Sequence, residues 1–240
     1  MIKTIGIIMT YNCAQMIKDT FDNLPKKEFD QIIVVDDGSQ DKSASVAKKL
    51  GIPVFSHSHG GYGANIKFGL TKAIGLGANY MVEIHGDGQY EPSAIPQAIK
   101  KAKKGNYDLL LGSRFTHPKL ALQDGMPLSR FLANIIMSFI NRRLFQIPLS
   151  EFYNGFRIYS KRLINQVKFE NTADNYFYSS QIIIQAKFNN LKIGEIPIRC
   201  DYHKEHTSES FWQASLHFFD TIILFIIYLK AKLGFKTNLF

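Results

Sequence analysis

His85, Asp87 and Gln89 stand within five residues of one another, with Gly86 and Gly88 between them. A carboxylate and an amide oxygen so placed can hold a hard divalent cation, with the His85 imidazole as a nitrogen donor beside them. The apolar run before the group, residues 80–84, reads as a buried strand, and the two glycines allow a tight turn where it stops. Pro92 suits the first position of the next helix. The three side chains therefore fall at the carboxyl end of a strand, the edge at which open α/β sheets bind ligands. Taken alone, the pentapeptide is better explained as a polar turn whose Asp caps a helix.

The elements that must position this group follow from the hydrophobic pattern. Apolar runs at residues 3–10, 31–36, 52–55, 80–84 and 108–112 predict five strands. Between them come helical spacings: Ile17, Phe21 and Leu24, then Val46, Ala47 and Leu50, then Ile66, Leu70 and Ile74, then Ile95, Ile99 and Ala102. Strands apolar on both faces and alternating with helices specify a mainly parallel α/β sheet, Rossmann-like, with helices on both faces. Polar clusters recur where the strands end, at residues 10–12, 36–39, 85–89 and 113–114. Four on one edge favour a ligand cleft over coincidence. Gly60, Gly61 and Gly63 open the third helix. Further on, residues 127–144 and 174–188 predict helices, and 154–159 and 191–199 predict strands. The polar linker 200–210 is expected to be an active-site loop.

With 240 residues, 45% hydrophobic and 20% charged, the chain has the composition of a globular protein rather than a disordered one. Cys13 and Cys200 are too far apart in sequence for a disulfide framework or a zinc spacing, which fits a reducing compartment. Residues 5–9 are too short for a signal-peptide core, so a cytoplasmic location is expected. The net charge of +9 favours anionic partners. The basic residues are scattered, as Lys100, Lys101, Lys103 and Lys104 on one predicted helix and Arg142 and Arg143 on another. That distribution, and the lack of a nucleic-acid motif, exclude nucleic acid. Residues 211–233 predict a helix whose apolar stretch, 221–229, is too short to span a bilayer. A domain over 1–210 is expected to carry an apolar extension over 211–240. The extension is placed first in the core of its own chain. Equal second readings are a subunit contact, giving a homo-oligomer, and a peripheral contact of 211–236 with the inner face of a membrane.

Taken together, the ordered motifs resemble the inverting family-2 glycosyltransferases with a GT-A fold, in the branch related to dolichyl-phosphate mannose synthase. They are Met9-Thr10-Tyr11-Asn12, Val35-Asp36-Asp37-Gly38-Ser39, Gly61-Tyr62-Gly63, His85-Gly86-Asp87-Gly88-Gln89-Tyr90, Gly112-Ser113-Arg114-Phe115, Asn154-Gly155-Phe156-Arg157 and Gly194-Glu195-Ile196-Pro197. The resemblance implies that Thr10, Tyr11, Asn12, Asp36, Asp37, Gly63 and Asp87 bind a nucleotide-sugar donor. It places residues 85–89 where relatives carry the D-x-D motif, so Asp87 and Gln89, with His85 in place of the first acid, are expected to hold Mg²⁺ or Mn²⁺. Arg114, Arg130 and His203 are implied to face the phosphate of donor or acceptor, and Arg157 either binds phosphate or supports the core. The acceptor is a polyprenyl phosphate, whose oxygen needs no strong base, or a glycan. In the second case Glu151 or Asp201 is the candidate base. Asp87, Arg114 and Glu151 are thus the expected catalytic set. Two other readings stand beside this one. A non-catalytic nucleotide-sugar-binding protein at the membrane is motivated by His85 and by the lack of acids at 179–181. A sugar nucleotidyltransferase is disfavoured because residues 10–14 lack the basic glycine-rich loop it needs.

Overall fold

Seven strands form one sheet in the order β3-β2-β1-β4-β6-β5-β7. They are β1 (Thr4–Thr10), β2 (Gln31–Asp36), β3 (Val54–Ser56), β4 (Tyr80–His85), β5 (Leu109–Ser113), β6 (Arg157–Ser160) and β7 (Ile193–Pro197). This computed structural model describes residues 2–202 and 211–240, and for 211–217 only the helical backbone. All pairings are parallel except those of β6, which runs antiparallel to both β4 and β5. The mainly parallel α/β sheet expected from the pattern is therefore present. What local pattern did not reveal is that the strand predicted at 154–159 inserts between β4 and β5, because pairing partners this distant in sequence leave no periodic signal.

Each strand feeds two cores by alternation. Ile5, Ile7, Met9, Ile33, Val35 and Met81 face one side of the sheet, and Ile8, Val34, Val82 and Ile84 the other. The first side is covered by α3 (Tyr62–Gly75), α8 (Tyr178–Phe188) and α9 (Phe211–Lys232), and the second by α1 (Ile17–Asn23), α2 (Ser43–Lys49) and α4 (Ala94–Gly105). Between β5 and β6 the chain makes α5 (Pro118–Gln123) and the long α6 (Leu128–Phe145), and α7 (Lys161–Gln166) follows β6.

The helix predicted over 174–188 begins only at Tyr178, because the backbone at Asp174 is occupied elsewhere: its carbonyl accepts the N–H groups of Gly63 and Ala64. From α9, Leu224 and Tyr228 enter the larger core, where Phe145 meets Phe225 and Tyr228 edge-on with ring centres 5.5 Å apart. Among the described residues no helix is long and apolar enough to cross a membrane. Cys13 and Cys200 are free and buried, and burial pushes their thiols up to about 11 and about 12.

Candidate active site

β4 is buried through Ile84 and ends in a turn at Gly88, whose φ of +67° is left-handed and suits glycine. The turn folds Asp87 back on itself: one carboxylate oxygen accepts the Gln89 N–H at 3.0 Å. No hydrogen bond falls on its second oxygen among the described residues, nor on the Gln89 side-chain amide. Both side chains are nonetheless nearly buried, at 9% and 8% exposure. The returning strand end holds the turn in place, with Asp201 N–H donating to the Gln89 carbonyl at 2.9 Å and Tyr90 bridging Cys200. Among the described residues no three His, Cys, Asp or Glu side chains converge on one point. The second oxygen of Asp87, with the Gln89 amide two residues on, has the chemistry that suits a cation of the Mg²⁺ type, which takes one or two protein oxygens and fills its other positions from phosphate and water.

His85, expected as a nitrogen donor to that cation, is turned elsewhere. It shares a strand face with Glu83, and its Nε2 lies 3.4 Å from Glu83 Oε1 with the ring edge-on to Tyr90. Glu83 is fully buried and also accepts the hydroxyls of Tyr62 at 2.5 Å and Tyr159 at 2.6 Å. Burial works against the charged imidazole, but the bond to Glu83 and the charges of Asp87 and Glu83 outweigh it, so the pKa of His85 is raised. Burial, reinforced by the Glu83 charge, holds the Tyr62 hydroxyl well above its ordinary range. His85 thus braces the floor beneath the turn. Glu83 was passed over in the sequence, although a lone acid inside an apolar strand was signal enough. Arg157 belongs to the same floor: it is fully buried and donates to the carbonyls of Phe152, Asn154 and Ser179.

The residues expected to bind the donor lie on the neighbouring strand ends, and most of them hydrogen-bond within their own turns. Thr10 Oγ1 donates to the Val35 carbonyl at 3.2 Å. Asp36 accepts the Ser39 hydroxyl at 2.5 Å, and Asn12 exchanges bonds with Ser39 and Gln40. Asp37 receives the N–H groups of Gly60 and Gly61, one on each oxygen, and the His59 ring at 2.8 Å. Its charge shapes the 57–61 loop. Gly63 is a correction of a different kind. Its N–H is taken by the Asp174 carbonyl at 2.6 Å, and a Cβ there would sit 2.3 Å from the Ala173 carbonyl oxygen. Glycine is required by this close backbone approach rather than by a phosphate. Gly63→Ala is expected to cost about 1–3 kcal/mol of stability, read as a lowered melting temperature.

Tyr11 keeps a partly open ring, stacked on His59 at 4.4 Å and 19°. His57 and His59, missed in the sequence, were marked there only by their spacing before Gly60-Gly61.

Arg114 and Glu151 form a buried ion pair. The Glu151 carboxylate, 0% exposed, accepts the Arg114 backbone N–H and Nε–H, each at 2.7 Å, and the Arg114 Nη2. Arg114 Nη1 donates to the Tyr202 hydroxyl at 2.6 Å. Burial disfavours the guanidinium charge, but Glu151 beside it more than compensates and holds its pKa well above the ordinary value. Glu151, expected as a base, has both oxygens occupied and no access to a substrate proton. Arg114, expected on a phosphate, spends most of its fork inside the protein. Arg130 stays at the surface side, its guanidinium 5.9 Å from the Tyr202 ring. His203 lies outside the described residues. A cleft of about 760 Å³ opens between α1 and the loop after β4, lined by Thr20, Asn23, Asp87, Gly88 and Glu91 but not by Tyr11 or Asp37.

A mainly parallel sheet with helices on both faces and polar residues gathered at the ends of its central strands is the GT-A architecture. The solved structures agree. Glucosyl-3-phosphoglycerate synthase from Mycobacterium tuberculosis, in complex with Mn²⁺, UDP-glucose and phosphoglyceric acid, superposes with a TM-score of 0.65 at 15% identity, over 98% of this chain and 81% of that one. The chain belongs to glycosyl transferase family 2, whose model matches residues 7–168. It is a glycosyltransferase. Among curated relatives, the UDP-N-acetylglucosamine–dolichyl-phosphate N-acetylglucosaminyltransferase of Methanococcus voltae is 32% identical over 214 residues, covering 82% of this chain and 84% of the relative. An uncharacterized protein of Methanocaldococcus jannaschii is 31% identical over 197 residues, covering 82% and 80%.

Proposed function

We propose that the protein moves a sugar, with inversion, from a nucleoside-diphosphate sugar to a polyprenyl phosphate. The observation that carries this reading is Asp87 at the end of β4, which lines the cleft beside the turn and whose second carboxylate oxygen accepts no hydrogen bond among the described residues. These two residues would hold Mg²⁺ or Mn²⁺, which when bound offsets the negative charge that collects on a departing diphosphate. The open ring of Tyr11, backed by His59, offers a stacking surface for the base of the donor. An acceptor phosphate oxygen forms the new bond to the anomeric carbon while the bond to the nucleoside diphosphate breaks and takes its electron pair away. No proton moves in that exchange.

The acceptor class is supported from two sides. The Methanococcus voltae relative is named for a dolichyl-phosphate acceptor. In this chain the carboxylate best placed by sequence to act as a base, Glu151, is sealed against Arg114, so an acceptor that is already anionic suits the site. Incubation of the protein with a panel of nucleotide sugars, a polyprenyl phosphate and Mn²⁺ is expected to release nucleoside diphosphate and form a glycosylated lipid phosphate, and EDTA is expected to stop both. Absence of transfer and of donor hydrolysis across the panel, with no nucleoside-diphosphate binding, would overturn the reading.

A further inference from the structure

The cleft beside the Asp87 turn takes its walls from three segments and its floor from the core. Asp19 stands on α1, Asp87 on the turn after β4, and Glu91 just before α4. Beneath them lie Leu24, Ile84, Ile95 and Phe156, all at 6% exposure or less. α1 touches the turn directly, with Thr20 Oγ1 donating to the Gly86 carbonyl at 2.9 Å. A volume of about 760 Å³ is that of a small-molecule pocket.

The charges select the occupant. In a chain of net charge +9, no lysine or arginine among the described residues lines this cleft. Lys18 on α1 and Lys26 beyond it are drawn to Asp22, which lies outside it. His85 borders the cleft, but its Nε2 is turned to Glu83. Asp87 is 9% exposed and lines the cleft, and its second oxygen accepts no hydrogen bond among the described residues. Glu91 accepts the Ser93 hydroxyl at 2.8 Å on one oxygen. A single point cation does not satisfy all three acids, because among the described residues no three such side chains converge as metal ligands do. Acids on separate walls, with apolar surface between them, match several charges joined by methylene spacers. The spacers cover the floor while each ammonium keeps a carboxylate and water beside it.

We propose that this cleft binds a linear aliphatic polyamine, its ammonium groups shared among Asp19, Asp87 and Glu91 and its methylenes lying over Leu24, Ile84, Ile95 and Phe156. Binding calls on neither donor nor acceptor, so it stands or falls separately from the transfer reaction.

Calorimetric titration of the full chain with spermidine, free of metal and donor and at low salt, tests it. Saturable binding of one spermidine per chain is expected, weakened by raised salt. Octanediol, a neutral chain of similar length, is expected to bind at least about tenfold more weakly. Asp19→Asn/Glu91→Gln, altered only at exposed positions, is expected to melt like the parent and to bind spermidine about tenfold more weakly. Glu170→Gln/Asp174→Asn removes the same charge from exposed positions outside the cleft and is expected to bind as the parent does. The proposal fails if the parent shows no saturable binding, or if the diol binds as tightly as spermidine. It fails equally if Asp19→Asn/Glu91→Gln binds undiminished, or if both double variants lose affinity alike, which marks diffuse attraction to the surface.

Discussion

Asp87→Asn is expected to lower kcat by about a thousandfold at saturating donor, about 4 kcal/mol of transition-state stabilisation, and to leave the melting temperature within a few degrees of the parent. The two effects separate because Asp87 does two things with two oxygens. One accepts the Gln89 N–H and closes the turn, a role the asparagine carbonyl can keep. The other has no partner among the described residues, and its charge is what a cation and a leaving diphosphate would feel. Unit charges about 4 Å apart at an effective dielectric near 20 interact by about 4 kcal/mol, so removing one charge accounts for a loss of this size. Two measurements check it: kcat as a function of Mn²⁺, and the thermal shift given by nucleoside diphosphate with and without the ion. Full Mn²⁺-dependent turnover in Asp87→Asn would remove Asp87 from the metal site.

Glu151→Ala is expected to act on stability first. It strands the Arg114 guanidinium, 7% exposed, without its counter-charge, and breaking one side of a buried pair costs about 3–5 kcal/mol. In a chain of this size that corresponds to a fall in melting temperature of about 10 °C. Glu151→Gln keeps an acceptor for the Arg114 N–H groups and is expected to recover much of that loss and most of the activity. A catalytic base behaves in the opposite way, because glutamine then preserves the fold while the rate collapses. Denaturant melts and kcat for both variants, measured side by side, distinguish the two. A thermally normal Glu151→Gln with kcat reduced by orders of magnitude would return Glu151 to the chemistry.

Much of the fold was legible in the chain because its strands announce themselves. A run such as Ile5-Gly6-Ile7-Ile8-Met9, apolar on both faces, belongs in a covered parallel sheet, and it lies there with all seven residues of β1 buried. The place of β6 was not legible, since Arg157–Ser160 pairs with residues from Leu109–Leu111 and Tyr80–Glu83. The motifs likewise pointed to the right family. Thr10, Asn12, Asp36 and Asp37 have residue types that suit nucleotide binding equally well as turn construction, and sequence alone does not show that each also takes part in the hydrogen bonds of its turn.

By itself, then, the order of residues determined the α/β sheet, the edge where polar side chains gather, and membership of the glycosyltransferase family, because each depends on local periodicity or on short motifs. Only the tertiary structure decided how the polar groups there are engaged: Asp87 with one oxygen accepting no hydrogen bond among the described residues, His85 turned under the turn to Glu83, and Glu151 closed on an arginine 37 positions away in sequence. The physical reason is saturation. A carboxylate is available to a ligand only if no N–H from a distant segment has reached it first, and those partners come together only when the chain has folded.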